Sequence, residues 1–217
     1  MSNEMQTYHV PVLLEESIEG MNLSPKGIYV DVTFGGGGHS KEILRQMDQT
    51  SHLYSFDQDE DAEKNIVDDE RFTFVRSNFR YLYNFLRYYG VEQVDAILAD
   101  LGVSSHQFDK AERGFSYNND AVLDMRMSQQ GMSAKDVVNT YSERELTRIF
   151  RDYGEEKFAS RIAKSIVSIR ERERIETTLQ LAEIIKQAIP AATRRTGGHP
   201  ARRCFQALRL ETNKELE

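Results

Sequence analysis

The stretch that decides the fold is IYVDVTFGGGGHS, residues 28–40. Its first half is rich in β-branched and aromatic residues, which favour a buried strand, and four consecutive glycines end it. The residues that follow, 38–47, have helical spacing of their apolar side chains. A strand that passes through a glycine turn into a helix is typical of ligand-binding α/β sheets, because the helix N-terminus presents N–H groups to an anionic group. We therefore expect a ligand-binding turn at Gly35–Ser40.

Strand and helix patterns alternate on both sides of this turn. Further strands are predicted at 53–56, 72–75 and 94–99, and helices at 10–21, 38–47 and 79–89. Alternation at this spacing predicts a parallel sheet with right-handed crossovers, that is, an α/β fold of the Rossmann-like kind.

The pattern changes after about residue 105. Residues 106–132 are polar with scattered glycine, and predict a long ordered loop of the kind that is often functional. From residue 133 onward the sequence is helical, with capping-box patterns at Ser142–Glu145 and Thr177–Gln180. The segment TRRTGGHPARR, residues 193–203, interrupts the helices, and a last helix is predicted to begin near Ala201.

The charges are unevenly distributed. The 217 residues include 28 Lys and Arg against 35 Asp and Glu, a net charge of −7. Residues 1–143 have a net charge of −12, residues 144–209 of +7 and residues 210–217 of −2. Such a division predicts an acidic part and a basic part with different partners. The basic part is expected either to bind RNA phosphates or to be an ordinary solvated helical surface, and its densest cluster is Arg194, Arg195, Arg202 and Arg203.

Other features of the composition exclude several classes of protein. A single cysteine excludes a disulfide framework and a cysteine-based metal cluster, and no metal site is expected. No apolar run approaches the roughly 20 residues that span a bilayer, and the polar N-terminus does not resemble a secretory signal. We expect a soluble cytoplasmic protein.

Acidic residues follow two of the predicted strands. Asp57 comes after the second strand and Asp100 after the fourth. Because ligands of open parallel sheets bind beyond the carboxyl ends of the strands, these residues and Gly35–His39 are expected to line one crevice. Asp57 suits the hydroxyls of a ribose, and Phe79, after the third strand, could contact an adenine.

Two nucleotide-type ligands fit such a crevice. The dinucleotide pattern G-x-G-x-x-G is incomplete, since its third glycine falls on Ser40. Asp31, on the first strand, suits the ammonium group of S-adenosylmethionine, whereas it would repel the pyrophosphate of NAD. The lone cysteine, Cys204, lies outside these motifs, which argues against a methyltransferase that attacks pyrimidine C5 through a thiolate.

These segments resemble the bacterial 16S ribosomal RNA cytosine-N4 methyltransferase family. The resemblance extends in order along nearly the whole chain, through HVPVLLEE (9–16), IYVDVTFGGGGHS (28–40), SFDQD (55–59), SNFR (77–80), DLGVSS (100–105), AERGFSY (111–117), LDMRM (123–127), YGEEKFASRIAKSI (153–166) and GGHPARRCFQALR (197–209).

The resemblance implies a fold and a set of binding residues. The fold is a class I methyltransferase sheet, incomplete here, with an inserted all-helical domain. It implies a methyltransferase domain at 1–105, a loop and helical substrate-recognition insertion at 106–203, and a return to the first domain at 204–217. The residues implied to bind S-adenosylmethionine are Gly37, Gly38, His39, Asp57, Phe79, Asp100 and Gln107.

The resemblance also implies the reaction, which is methylation of the N4 amine of a cytosine in the decoding centre of 16S ribosomal RNA. Asp100 is the candidate catalytic residue, and Phe115 or Tyr117 could stack on the target base. The sequence departs from the family at His106, where proline is usual. It also lacks the family's C-terminal strands, from which we expect a truncated chain of low stability and impaired activity. An NAD(P)-dependent oxidoreductase, and an RNA-binding protein with a vestigial cofactor pocket, are the alternatives.

Overall fold

In the computed structural model the described residues are 11–193 and 198–216. They divide into two compact units, Met1–His106 and Gln107–Glu217.

Unit 1 is built on a four-stranded parallel sheet. Its strands are β1 (Ile28–Asp31), β2 (His52–Asp57), β3 (Phe72–Arg76) and β4 (Ala96–Leu98), in the spatial order β3-β2-β1-β4. Its helices are α1 (Leu14–Gly20), α2 (Gly38–Gln46) and α3 (Leu82–Tyr88), with short 3₁₀ helices at Glu60–Asn65 and Phe79–Tyr81. The predicted α/β fold with a parallel sheet is confirmed, and all four strands lie where the sequence pattern puts them.

Helices cover both faces of this sheet. On one face Ile18 of α1 and Ile43 of α2 pack against Tyr29 and Leu53. On the other face Leu86 of α3 packs with residues of the same strands, Val30 and Phe56 among them. Burial on both faces explains why β1 is a nearly continuous apolar run rather than an alternating one.

Unit 2 is helical. Its helices are α4 (Ser105–Asp109, which begins two residues before the unit), α5 (Ala134–Thr140), α6 (Glu143–Asp152), α7 (Ala159–Arg170), α8 (Thr178–Ala188) and α9 (Arg202–Asn213). The capping boxes predicted at Ser142–Glu145 and Thr177–Gln180 are both formed. A third, Ser133 with Asp136, begins α5 and was not predicted.

The last helix, α9, occupies most of the end of the chain. We expected residues 204–217 to begin the return to the methyltransferase domain. In the structure α9 packs against α5 and α6, so its residues belong with the helices of unit 2. The predicted domains, with a boundary between residues 105 and 106 and a return to the first domain at 204–217, stay predictions.

The long loop before α5 is organised around one buried arginine. The guanidinium of Arg113, 9% exposed, donates hydrogen bonds to the carbonyl oxygens of Arg126 and Met127 at 2.9 and 3.1 Å. The expectation of a loop over 106–132 is therefore correct for most of its length, although α4 and a 3₁₀ turn at Ala111–Arg113 occupy its beginning.

None of the helices in the described part of the chain is both long enough and apolar enough to cross a membrane.

Candidate functional site

The glycine turn follows β1 and leads directly into α2. Gly35 and Gly37 have φ angles of +50° and +75°, which side chains other than glycine rarely adopt. A Cβ at Gly38 would lie 2.4 Å from the ring of Pro11, so this position also excludes a side chain. Gly37 is the N-cap of α2 and no side chain caps the helix there. The turn can therefore bring backbone close to a ligand at a helix N-terminus.

Asp57, the last residue of β2, is bonded to this turn. One of its carboxylate oxygens accepts a hydrogen bond from the backbone N–H of Gly35 at 2.7 Å, and the other from that of Asp59 at 2.8 Å. Burial raises the pKa of Asp57 above its usual value, and the two backbone hydrogen bonds counteract only part of that effect. Each oxygen can accept a second hydrogen bond, so Asp57 can also bind hydroxyl groups of a ligand.

Asp31 lies in the interior, below the turn. Its side chain is fully buried, and it accepts hydrogen bonds from the Ser40 hydroxyl at 2.7 Å and from the Thr33 backbone at 3.0 Å. Burial raises the pKa of this carboxyl, an effect that the Ser40 hydrogen bond opposes. Because no part of Asp31 is exposed, the structure does not bear out our interpretation that this carboxylate suits a ligand ammonium. Asp31 fixes the turn to α2 instead.

Asp100 lies two residues beyond β4 and its side chain is exposed. Its backbone N–H donates a 2.8 Å hydrogen bond to the Thr33 hydroxyl, which in turn donates to Asp31 at 3.3 Å. Thr33 therefore joins the segment after β1 to the segment after β4. We did not predict this role, although Thr33 lies within the stretch that decides the fold.

Phe79 begins the 3₁₀ helix after β3, and 40% of its side chain is exposed. The preceding residue, Asn78, caps that helix by accepting from the Arg80 backbone, and its side-chain amide donates to Gln58 at 3.1 Å. The segments after β2 and β3 are thereby connected, and Phe79 has an exposed ring available for a flat ligand.

His39, in the first turn of α2, is 6% exposed. Its Nε2 lies 3.3 Å from the carbonyl oxygen of Val12. Because a carbonyl can only accept, this nitrogen donates a proton to the bond. His39 therefore fastens the segment before α1 to the glycine turn.

The predicted residues of unit 1 thus share one edge of the sheet. Gly37, Gly38, His39, Asp57, Phe79 and Asp100 all lie in, or directly before, the segments that follow the carboxyl ends of parallel strands. A further residue supports the edge from a distance, since the side-chain amide of Asn65 donates to the carbonyl oxygen of Gly35 at 3.0 Å. No local sequence signal indicates this contact of Asn65.

The remaining predicted residues belong to unit 2. Gln107 lies in α4 with a buried side chain, and Phe115 is buried as well. Tyr117 stacks on the ring of His199, with 4.4 Å between centroids and 9° between planes. Phe205 contacts Tyr117 edge to face at 5.6 Å. The roles predicted for these residues stay predictions.

The basic cluster and the cysteine also belong to unit 2. Arg202 and Arg203 are exposed in the first turn of α9, where Arg203 donates to the carbonyl oxygen of Glu155 at 3.1 Å. Arg194 and Arg195 lie outside the described residues. Cys204 is fully buried, and this burial raises the pKa of its thiol well above the usual value, which does not favour a thiolate nucleophile.

Comparison with known proteins places this geometry in a family. The model of the MraW methylase family matches residues 6–217. The ribosomal RNA small subunit methyltransferase H of Phocaeicola vulgatus is 62% identical over 218 residues, which cover 100% of this chain and 71% of that protein. The methyltransferase H of Bacteroides fragilis is 57% identical over the same shares of both chains. That of Oceanobacillus iheyensis is 56% identical over 96% of this chain and 66% of its own.

The family model matches nearly the whole chain, and these relatives are 56–62% identical to it. Proteins that share only a sheet topology are much less similar in sequence. The chain belongs to the MraW methylase family.

Proposed function

We propose that this chain binds S-adenosylmethionine at the edge of the unit 1 sheet and methylates the exocyclic N4 amine of a cytosine in small-subunit ribosomal RNA. The observation that supports this most directly is the convergence of the Asp57 carboxylate and the glycine turn, joined by the 2.7 Å hydrogen bond from Gly35. Membership of a methylase family, with relatives named ribosomal RNA small subunit methyltransferase H, supplies the reaction class and the RNA.

The residues of this edge fit the chemical groups of the methyl donor. When bound, S-adenosylmethionine supplies an electrophilic methyl group on a positively charged sulfur. Asp57 would accept hydrogen bonds from its ribose hydroxyls, and the exposed ring of Phe79 would pack on its adenine. The backbone at Gly37 and Gly38 would lie against its amino acid part, since no side chain intervenes there.

Asp100 is our candidate for activating the amine. The lone pair of the cytosine N4 is delocalised into the ring, so the amine is a weak nucleophile. A carboxylate that accepts an N4–H hydrogen bond draws electron density onto the nitrogen and favours tetrahedral geometry there. Asp100 is exposed, and its backbone is fixed by the hydrogen bond to Thr33, which suits a residue that meets a large substrate.

The helical unit supplies the surface for RNA in this proposal. Residues 144–209 have a net charge of +7, against −12 for residues 1–143. A basic surface attracts the phosphate backbone irrespective of sequence, whereas the target base has to be selected by contacts at the methyl-transfer site. Gln107 remains part of the proposal on the resemblance alone, and the basic cluster of Arg194, Arg195, Arg202 and Arg203 on the charge of the sequence.

The two alternatives have no comparable support. A bound NAD would have to place its pyrophosphate at a turn whose third glycine is replaced by Ser40. An RNA-binding protein without enzymatic activity would have no use for the arrangement of Asp57, Phe79 and Asp100 at the edge of the sheet.

The decisive experiment is methyl transfer by the purified 217-residue chain from radiolabelled S-adenosylmethionine to small ribosomal subunits. We expect label in 16S ribosomal RNA at a cytosine, located by nuclease digestion and mass spectrometry as N4-methylcytosine. Calorimetric titration with S-adenosylmethionine and with NAD separates the methyltransferase from the oxidoreductase. Binding of NAD alone, or label on a base other than cytosine, would contradict the proposal.

A further inference from the structure

The segment from residue 71 to residue 91 differs in charge from the rest of its unit. Residues 1–106 include 18 Asp and Glu but only 8 Lys and Arg. Four of those eight cations, all arginines, occur within these 21 residues, which have no acidic residue and include four tyrosines. A cationic and aromatic segment in an acidic unit indicates a surface with its own ligand.

Two of the four arginines are neutralised within the unit. The guanidinium of Arg71 lies 2.6 Å from the carboxylate of Asp69, and that of Arg76 lies 3.2 Å from that of Glu63. These two arginines therefore serve ion pairs at the beginning and end of β3.

The other two arginines lie over tyrosine rings instead. Among residues 11–193 and 198–216, neither Arg80 nor Arg87 has a carboxylate at ion-pair distance. Arg80 lies 5.8 Å from the centroid of Tyr81, and Arg87 lies 5.7 Å from that of Tyr83, whose phenol oxygen accepts from Arg87 at 3.3 Å. Cation–π contacts hold each guanidinium in place without cancelling its charge.

The tyrosines beside these arginines are exposed to an unusual degree. Tyr83 is 68% and Tyr88 82% exposed, and Tyr81 is about half exposed, whereas Leu86 on the opposite face of α3 packs against the sheet. Large aromatic side chains at such exposure are available to contact another molecule. We refer to the exposed residues on this side as the α3 surface, which comprises Arg80, Tyr81, Tyr83, Asn84, Arg87 and Tyr88.

We infer, on the basis of the proposed function, that the α3 surface is a second RNA-binding site, which holds an unpaired segment of the RNA outside the methyl-transfer site. Exposed tyrosine rings provide stacking faces for unpaired bases, and the two arginines provide charge for the phosphates between them. A protein partner would have to bring acidic groups at matching positions, whereas RNA offers phosphates and flat bases together. The surface begins at Arg80, next to Phe79, so a strand bound there would leave the edge of the sheet along α3.

The test measures RNA binding without methyl transfer. Fluorescence anisotropy follows a labelled single-stranded oligonucleotide of mixed sequence titrated with the 217-residue chain at several salt concentrations. For Arg80→Ala with Arg87→Ala we expect the slope of log affinity against log salt to become shallower by roughly 1.4, at about 0.7 per phosphate contact. For Tyr83→Ala with Tyr88→Ala we expect at least about tenfold weaker binding, since each of two stacked bases contributes about fivefold or more.

Two control variants separate this site from general effects. Arg45→Ala with Lys64→Ala removes the same charge from the same unit, at residues paired with Glu42 and Asp61, and should leave the salt slope unchanged. Tyr83→Phe with Tyr88→Phe keeps the rings and should keep the affinity within about twofold. Calorimetry with S-adenosylmethionine reports separately on the cofactor site in every variant. The inference is overturned if the alanine variants bind RNA like the wild type, or if the charge control weakens binding equally.

Discussion

At the scale of single residues, the site depends on side chains that position backbone. Asp57 holds the glycine turn through the N–H of Gly35, Thr33 holds the backbone of Asp100, and Asn65 holds the carbonyl of Gly35. Of these three residues, only Asp57 is also proposed to contact a ligand. Substitution of Asp57 should therefore affect the ligand directly, whereas substitution of Thr33 or Asn65 should act through the turn.

Asp57 provides the first prediction. Hydrogen bonds to a charged group contribute roughly 1.5–3 kcal/mol each, so Asp57→Ala should weaken S-adenosylmethionine binding by about tenfold or more. Burial raises the pKa of Asp57 above its usual 3.8, and protonation removes acceptor capacity from the carboxylate. The affinity of the wild type should therefore fall as the pH decreases toward this raised pKa. Isothermal calorimetry across that range gives both quantities.

Asp57→Asn is the matched variant for this measurement. It keeps the size of the side chain but has no proton to gain, so its weaker affinity should not change with pH over the same range. A folded Asp57→Ala protein with wild-type affinity, or equal pH dependence in the wild type and Asp57→Asn, would remove Asp57 from the binding site.

The placement of a site residue can be predicted from the sequence where its position in the sheet determines it. Asp57 and Asp100 follow strands, and parallel strands bring their carboxyl ends to one edge, so their placement could be inferred. The interpretation of Asp31 was not borne out because its carboxylate is fully buried and bonded to Ser40, a contact that the strand pattern does not reveal. Asn65 was missed because its contact with Gly35 connects positions 30 residues apart with no local signature.

At the scale of elements, the helices and strands of unit 1 were predictable because the apolar residues there clearly follow the spacing of strands or of helices. Capping boxes at Ser142 and Thr177 also fixed two helix starts. What the sequence did not predict is the packing of α9 in unit 2. In α9 the carboxylate of Glu211, a residue only 5% exposed, has two partners, Tyr141 and Arg148, that lie 70 and 63 residues earlier in the chain.

Glu211 provides the second prediction. Its carboxylate accepts from the Tyr141 phenol at 2.7 Å, from Lys214 at 3.0 Å and from Arg148 at 3.3 Å. Burial alone would raise the pKa of Glu211, but these partners lower it below its usual 4.5, while burial and the Glu211 carboxylate raise the pKa of Tyr141 to about 12. Glu211→Gln should reduce the free energy of unfolding by about 1–3 kcal/mol at neutral pH, measured by urea titration.

The pH dependence of that loss has a definite sign. Because the folded pKa of Glu211 lies below the unfolded value, its ionisation stabilises the fold above about pH 4.5 and ceases to do so as the pH falls through the folded pKa. The difference between wild type and Glu211→Gln should therefore shrink in acid. Glu183→Gln makes the same change in an exposed pair with Lys186 and should cost less than about 1 kcal/mol. Equal losses in the two variants would contradict the role of Glu211.

The edge strand β4 provides the third prediction. Within the described residues β4 pairs only with β1, and Ile97 at its centre is 51% exposed although its partner Val30 is buried. An apolar edge strand is a template for pairing with a second chain. The 217-residue chain should therefore self-associate, and Ile97→Lys should reduce this association in sedimentation velocity. Ile66→Lys, at a residue that is 48% exposed and lies outside the strands, is the control and should have little effect. A monomeric wild type at tens of micromolar would contradict this prediction.

At the scale of the whole molecule, the uneven charge predicts that most of the RNA affinity lies apart from the cofactor residues, with the α3 surface as the proposed exception. Residues 1–143 have a net charge of −12 and residues 144–209 of +7, and the predicted cofactor residues fall in the former and the basic cluster in the latter. RNA affinity should therefore respond to salt and to arginine substitutions in unit 2, while the affinity for S-adenosylmethionine should not. The charge division itself could be read from the sequence, because net charge needs no knowledge of the fold.

The last prediction applies this separation to Arg194 and Arg195. Replacing both by alanine should make the slope of log RNA affinity against log salt shallower by roughly 1.4, since each phosphate contact of a single strand contributes about 0.7. The control, Arg151→Ala with Arg174→Ala, removes the same charge from arginines of unit 2 that form ion pairs with Asp152 and Glu176. The control should leave the slope nearly unchanged, because charges that are already paired release fewer counterions on binding RNA. If both variants flatten the slope equally, the RNA senses only the overall charge of the unit, and Arg194 and Arg195 form no localised contact. If Arg194→Ala with Arg195→Ala also weakens S-adenosylmethionine binding, the two functions are not separable in the way that the charge distribution predicts.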